Sequence, residues 1–153
     1  MQSKAITREV FGRLPWCAFG TSLDPARVAN YQGLWWNEPP GSESGWGINL
    51  NHEGDIIFAA WFTYDSDNTP LWLVATMPRD ASGSYTGTLY RLTGPPYSAM
   101  PWDPTAVIVV SVGNARLTFA SGIEARFEYT VGSVSQAKTI TREFLRAPGT
   151  LCQ

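Results

Sequence analysis

Residues 115–131 read Ala115-Arg116-Leu117-Thr118-Phe119-Ala120-Ser121-Gly122-Ile123-Glu124-Ala125-Arg126-Phe127-Glu128-Tyr129-Thr130-Val131. Ala115, Leu117 and Phe119 alternate with Arg116 and Thr118. Beyond the Ser121-Gly122 pair, Ile123, Ala125, Phe127, Tyr129 and Val131 alternate with Glu124, Arg126, Glu128 and Thr130. Successive side chains of a strand point to opposite faces, so a period of two gives each run one core face and one wet face. Two such runs joined by Ser-Gly form an antiparallel hairpin.

The same reading extends in both directions. Val131-Gly132-Ser133 turns into a strand over Val134 to Leu145. Upstream, strands are expected at Tyr31 to Asn37, Gly45 to His52, Ile56 to Tyr64, Leu71 to Met77 and Ser84 to Leu92. Turns fall at Glu53-Gly54-Asp55, Asp65 to Pro70 and Arg79 to Gly83. The stretch from Thr93 to Pro104 holds Gly94-Pro95-Pro96, Pro101 and Asp103-Pro104, and so much proline keeps it out of a ladder. The one helical signal is Asp24 as N-cap with Pro25 at the first position, leaving less than about a tenth of the chain for α-helix against a usual third. The fold expected is all-β: an antiparallel meander of about nine strands forming an up-and-down barrel, with a two-sheet sandwich as the alternative.

Composition narrows the function. The chain has 153 residues, enough for one domain with a core of its own. Lys plus Arg number 11 against 13 Asp plus Glu, giving a net charge of -2 with no basic stripe, so no nucleic-acid partner is expected. The longest apolar runs, Ile56 to Phe62 and Ala106 to Val110, fall far short of the roughly 18 residues of a membrane span. The run from Met1 to Lys4 has no leader character, so any export signal is expected upstream of this piece. Seven tryptophans and 13% aromatic residues stand out. Most serve a small β core, and any that the fold leaves exposed form a stacking platform for a flat ligand.

The chain ends repeat each other. Gln2-Ser3-Lys4-Ala5-Ile6-Thr7-Arg8-Glu9-Val10-Phe11 aligns without gaps on Gln136-Ala137-Lys138-Thr139-Ile140-Thr141-Arg142-Glu143-Phe144-Leu145, with six of ten positions identical, and each copy is followed by a Pro and a Cys. This points to a tandem array: residues 1–30 as the tail of a preceding repeat, with a duplicated strand at 2–11 and a linker, and residues 31–153 as one repeat. In a rigid array, Cys17 and Cys152 lie a domain apart and stay unpaired. A bridge requires the two similar strands to meet in one sheet or across a two-fold contact.

Candidate chemistry is sparse. His52 is the only histidine and sits at a hairpin end beside Glu53 and Asp55, where it reads as a solvated turn residue. Glu38 with Glu43, or Asp65 with Asp67, would supply a carboxylate pair for glycoside hydrolysis if their separation allowed it. Asp65, Asp67 and Asn68 are better explained by turn chemistry. No Cys/His cluster suggests zinc and no glycine-rich loop suggests phosphate, so no metal or cofactor is expected. Trp35 and Trp36 are adjacent on one strand and must face opposite ways, as must Trp61 and Phe62. The candidate ligand site is therefore aromatic, with Trp36, Trp46, Trp72 and Trp102 joined by the polar edges of Asn37, Asn49 and Tyr64.

The runs Tyr31-Gln32-Gly33-Leu34-Trp35-Trp36-Asn37, Ser44-Gly45-Trp46-Gly47-Ile48-Asn49-Leu50, Asp55 to Asp65 and Pro70-Leu71-Trp72-Leu73 resemble a repeat domain of uncharacterised secreted proteins from Gram-negative bacteria. That resemblance covers nearly the whole chain and implies export and tandem arrangement, without catalytic residues to carry over. Gly33-Leu34-Trp35-Trp36-Asn37 and Thr86-Gly87-Thr88-Leu89-Tyr90 also resemble the strands of avidin-type, calycin-like barrels, which implies a closed meander. The function expected is a non-catalytic extracellular or cell-surface module binding a glycan or small ligand through aromatics. The alternatives are a self-assembling filament or adhesin repeat, joined to a second copy or a neighbouring repeat by addition of strand 2–11, and a small glycosidase or esterase.

Overall fold

A computed structural model describes residues 3–20 and 22–153. Ten strands run in order: β1 (Cys17–Ala18), β2 (Gly33–Asn37), β3 (Gly47–Glu53), β4 (Ile56–Tyr64), β5 (Pro70–Pro78), β6 (Tyr85–Thr93), β7 (Ile108–Phe119), β8 (Glu124–Val131), β9 (Val134–Glu143) and β10 (Leu151–Cys152). Strands β2 to β9 form a closed antiparallel barrel in sequential order, β9 returning to pair with β2, while β1 and β10 make a separate two-stranded sheet. The barrel, not the sandwich, is the architecture. The helical content of the described residues is two 3-10 turns, Pro25–Arg27 and Pro104–Ala106. The first is capped as expected, Asp24 accepting from the Ala26 N–H at 3.0 Å. Among the described residues no helix is long and apolar enough to cross a membrane.

The alternation that identified the strands also fills the barrel. Ala115, Leu117, Ala125 and Phe127 are all 5% exposed or less, and they meet Trp35, Ile48, Leu50, Ile57, Leu73, Met77 and Ile140 from the other walls. Trp35 is buried and Trp36 half-exposed on the outer face; Trp61 is buried while Phe62 is exposed. The hairpin turns follow their glycines. Gly54, at φ 61°, closes β3 onto β4 in a two-residue loop, a conformation that favours glycine in tight hairpins.

The meander has eight strands where nine were expected. The apolar run Ile108 to Val110 and the alternating segment Ala115 to Phe119 belong to one twelve-residue strand, β7. Beside Gly113 that strand bulges, where the β6–β7 register shifts between Leu89 and Tyr90. A Cβ at Gly113 would stand 1.7 Å from the Thr130 carbonyl oxygen, so glycine marks a close backbone approach inside the sheet.

The terminal segments correct two further expectations. Residues 3–11 form no strand: the barrel is closed and offers no ladder edge, so the segment runs extended against the β3–β4 turn. There the Phe11 and Gly12 N–H groups donate to the Glu53 carboxylate at 2.9 and 3.1 Å. The cysteines are not two free thiols. Cys17 and Cys152 pair opposite each other in the β1–β10 sheet and are disulfide-bonded. The bridge does not need the similar strands to meet, because the short segments following each copy are the ones that come together.

Candidate functional site

The two ends of the barrel differ. One end is shut by residues 24–31. Tyr31 lies inside, stacked on Phe119 with ring centroids 3.6 Å apart and on His52 at 5.4 Å. His52 is 4% exposed, not a solvated turn residue. Its Nδ1 accepts from the Tyr31 N–H at 3.0 Å, which leaves the ring proton on Nε2 to be donated to the Tyr85 hydroxyl oxygen at 3.0 Å. Burial drives the His52 pKa down and pushes the Tyr85 phenol up to about 12. Both imidazole nitrogens are thus engaged, one by the plug and the other by the β6 wall.

Arg142 completes this closure. Its guanidinium, 7% exposed, donates from Nη1 to the Asn30 and Gly122 carbonyls at 3.3 Å each and from Nη2 to the Gln32 carbonyl. Burial lowers its pKa. The charge is met by three carbonyl dipoles drawn from two separate stretches of chain, so one side chain ties β9 to the plug and to the β7–β8 turn.

The opposite end is open. A cavity of about 590 Å³ lies between the β2–β3 loop, the β4–β5 turn and the β8–β9 turn. Trp46, Trp61, Leu71 and Tyr129 make its apolar lining, with Glu43, Thr63, Ser66, Gln136 and Lys138 among its polar groups. Trp46, Trp61, Phe127 and Tyr129 form one aromatic cluster, the Trp61 and Tyr129 rings 4.5 Å apart and the Trp46 and Trp61 rings 6.3 Å apart at a steep angle. The indole N–H groups of Trp46 and Trp61, 7% and 4% exposed, have no hydrogen-bond partner. A buried donor without an acceptor costs about 1–3 kcal/mol.

Charges around this opening are already matched. Lys138 Nζ lies 2.5 Å from Glu43 Oε1 and 5.6 Å from the Trp46 ring centre, and Asn37 Nδ2 donates to the same carboxylate oxygen at 3.1 Å. Arg91 lies 2.7 Å from Asp65, whose carboxyl is held below its usual range by the Ser66 N–H and then by Arg91. Asp67 accepts from the Thr69 N–H and hydroxyl, as turn chemistry requires. Tyr64 leans over the rim, its hydroxyl 3.4 Å from the Ser44 carbonyl. That pose needs Gly45, because a Cβ there would fall 2.0 Å from the Tyr64 oxygen.

Of the residues singled out from sequence, the structure brings Trp46 and Tyr64 to the opening, with Asn37 one hydrogen bond behind. Trp36 and Trp72 lie on the outer wall, where Trp72 pairs across strands with the exposed Phe62. Asn49 is exposed on β3. Trp102, in the proline-rich loop, lies 5.0 Å under the Lys4 ammonium. Glu38 is exposed, and Glu43 is held by Lys138. Sequence reasoning missed Trp61, Tyr129, Gln136 and Lys138. The strand alternation carries the signal, because Tyr129 shares the inward face of Phe127, and Trp61 is the inward member of its pair. A broader depression of about 800 Å³ on the outer wall, across Thr86, Asn114, Arg116, Glu128 and Thr130, is open and shallow by comparison. The unpartnered donors belong to the barrel mouth, not to this depression. Comparison with protein-family models, with curated proteins and with solved structures returned no match.

Proposed function

We propose that this chain is a binding module whose open barrel mouth takes one or two units of a neutral carbohydrate. The observation that carries this reading is the aromatic face that Trp46, Trp61 and Tyr129 give the cavity. The aromatic lining suits the C–H face of a sugar ring, and the rim amide and hydroxyls of Gln136, Thr63 and Ser66 both donate and accept, as sugar hydroxyls do. Neutrality follows from the rim ion pairs, since a charged ligand would have to break Lys138–Glu43 or Arg91–Asp65 to find a partner. The disulfide favours an oxidising, extracellular setting.

The test is a tryptophan-fluorescence and calorimetric titration against a panel of neutral mono- and disaccharides. Trp61→Phe keeps a ring in the core while shrinking the aromatic face of the cavity, and is expected to weaken binding about tenfold, the equivalent of 1.4 kcal/mol. If no saccharide perturbs the emission at about 10 mM, a weak limit on the affinity scale, or if Trp61→Phe binds as tightly as the parent, the reading fails.

A further inference from the structure

The repeated segment takes on a specific meaning once β9 is in place. Gln136 and Lys138 line the mouth, Ile140 is fully buried in the core, and Arg142 locks the closed end. These four residues form the inward row of β9. All four recur 134 positions earlier, as Gln2, Lys4, Ile6 and Arg8. Of the outward positions, Ala137 and Thr139 change, to Ser3 and Ala5, while Thr141 and Glu143 recur as Thr7 and Glu9. Identity is thus complete along the row that the barrel interior reads and partial on the outer face. In the observed arrangement the N-terminal copy makes no use of it: Ile6 is 92% exposed, whereas its counterpart Ile140 is 0% exposed.

We infer that the place between β2 and β8 is a strand-binding site with two competent occupants in the same chain, and that residues 3–9 are able to close the barrel in place of residues 137–143. The register supports this. β9 meets β2 through Trp35 opposite Arg142 and Trp36 opposite Thr141, and meets β8 through Ala125 opposite Ile140 and Phe127 opposite Lys138. The N-terminal copy supplies Arg8, Thr7, Ile6 and Lys4 to those same positions. Lys4 then faces Glu43 and Trp46, and Arg8 faces the carbonyls of Asn30, Gln32 and Gly122. The connection is also feasible, because β9 ends at the closed end, beside the start of β2. Residues 10–32 then need only cross that end to enter β2. A closed barrel has no edge for a ninth strand, so the two copies exclude each other.

The experiment uses the full chain with Ile140→Asp, Ile6→Asp and both together, followed by thermal melting and amide hydrogen exchange. Aspartate at 140 cannot enter the core, so β9 is expected to leave and the N-terminal copy to replace it. The Ile140→Asp protein should keep a cooperative melt, gain amide protection over residues 4–8 and lose it over residues 138–142. Ile6→Asp alone should melt like the parent, and the double variant should lose the cooperative transition. The inference is overturned if Ile140→Asp unfolds as fully as the double variant, or if it stays folded with residues 4–8 unprotected. Saccharide binding plays no part in either readout.

Discussion

Replacing Cys17 and Cys152 by serine tests how the terminal segments contribute to stability. The bridge spans 135 residues of chain, and its main effect in the chain-entropy account is to restrict the unfolded ensemble, by about 5 kcal/mol for a loop of this length. The barrel strands β2 to β9 lie wholly inside the loop and make no contact through the sulfurs, so their ladder should survive. For a domain of this size each kcal/mol corresponds to about 2–4 °C, which predicts a fall in Tm of about 15 °C with unchanged near- and far-ultraviolet circular dichroism. Urea titration supplies a second signature: the unfolded state expands without the crosslink, so the slope m should rise while the midpoint falls. A fall under about 4 °C, worth little more than 1 kcal/mol on the same scale, together with an unchanged m, would refute the reasoning and show that the terminal sheet does not fold as one unit with the barrel.

Two further outcomes follow from the closed end. His52 has a folded pKa lowered by burial, so the unfolded state binds its proton first. The stability this confers is complete above the unfolded value near 6.5 and is lost as pH falls below it, at up to about 1.4 kcal/mol per pH unit. Melts from pH 7.5 down to 5.5 should show that slope in the parent and lose it in His52→Gln. Gly122→Ala would place a Cβ 2.0 Å from the Pro25 carbonyl oxygen and 2.8 Å from that of Val28. The plug must shift, and a loss of about 3 kcal/mol is expected in urea denaturation; an unchanged midpoint would mean that residues 25–28 do not seat against the β7–β8 turn.

The strands were legible because one residue in two repeats the same decision, inward or outward, and hairpins such as the one through Ser121-Gly122 need no distant information. The burial of His52 was not legible: its surroundings at the hairpin end are polar, and it is covered by Tyr31, which arrives from the far side of the linker. The disulfide was hidden for a related reason, since the two-residue strands that hold it are too short to show a period. Of the aromatic candidates, Trp46 was recoverable as a site residue. Trp72 could not be told from it without the register that places it opposite Phe62 on the outer wall.

The placement of β1 and β10 fixes where the domain is joined to whatever it is linked to. β1 and β10 hold Cys17 and Cys152 side by side next to Gln32 at the shut end. A neighbour following β10 would therefore sit behind the barrel and leave the mouth unobstructed. Copies anchored through β10 would present their mouths outward like cups on a cord. Weak capture by each would then add up to tight retention on a polymer that offers many identical units, through effective concentration and without any new contact.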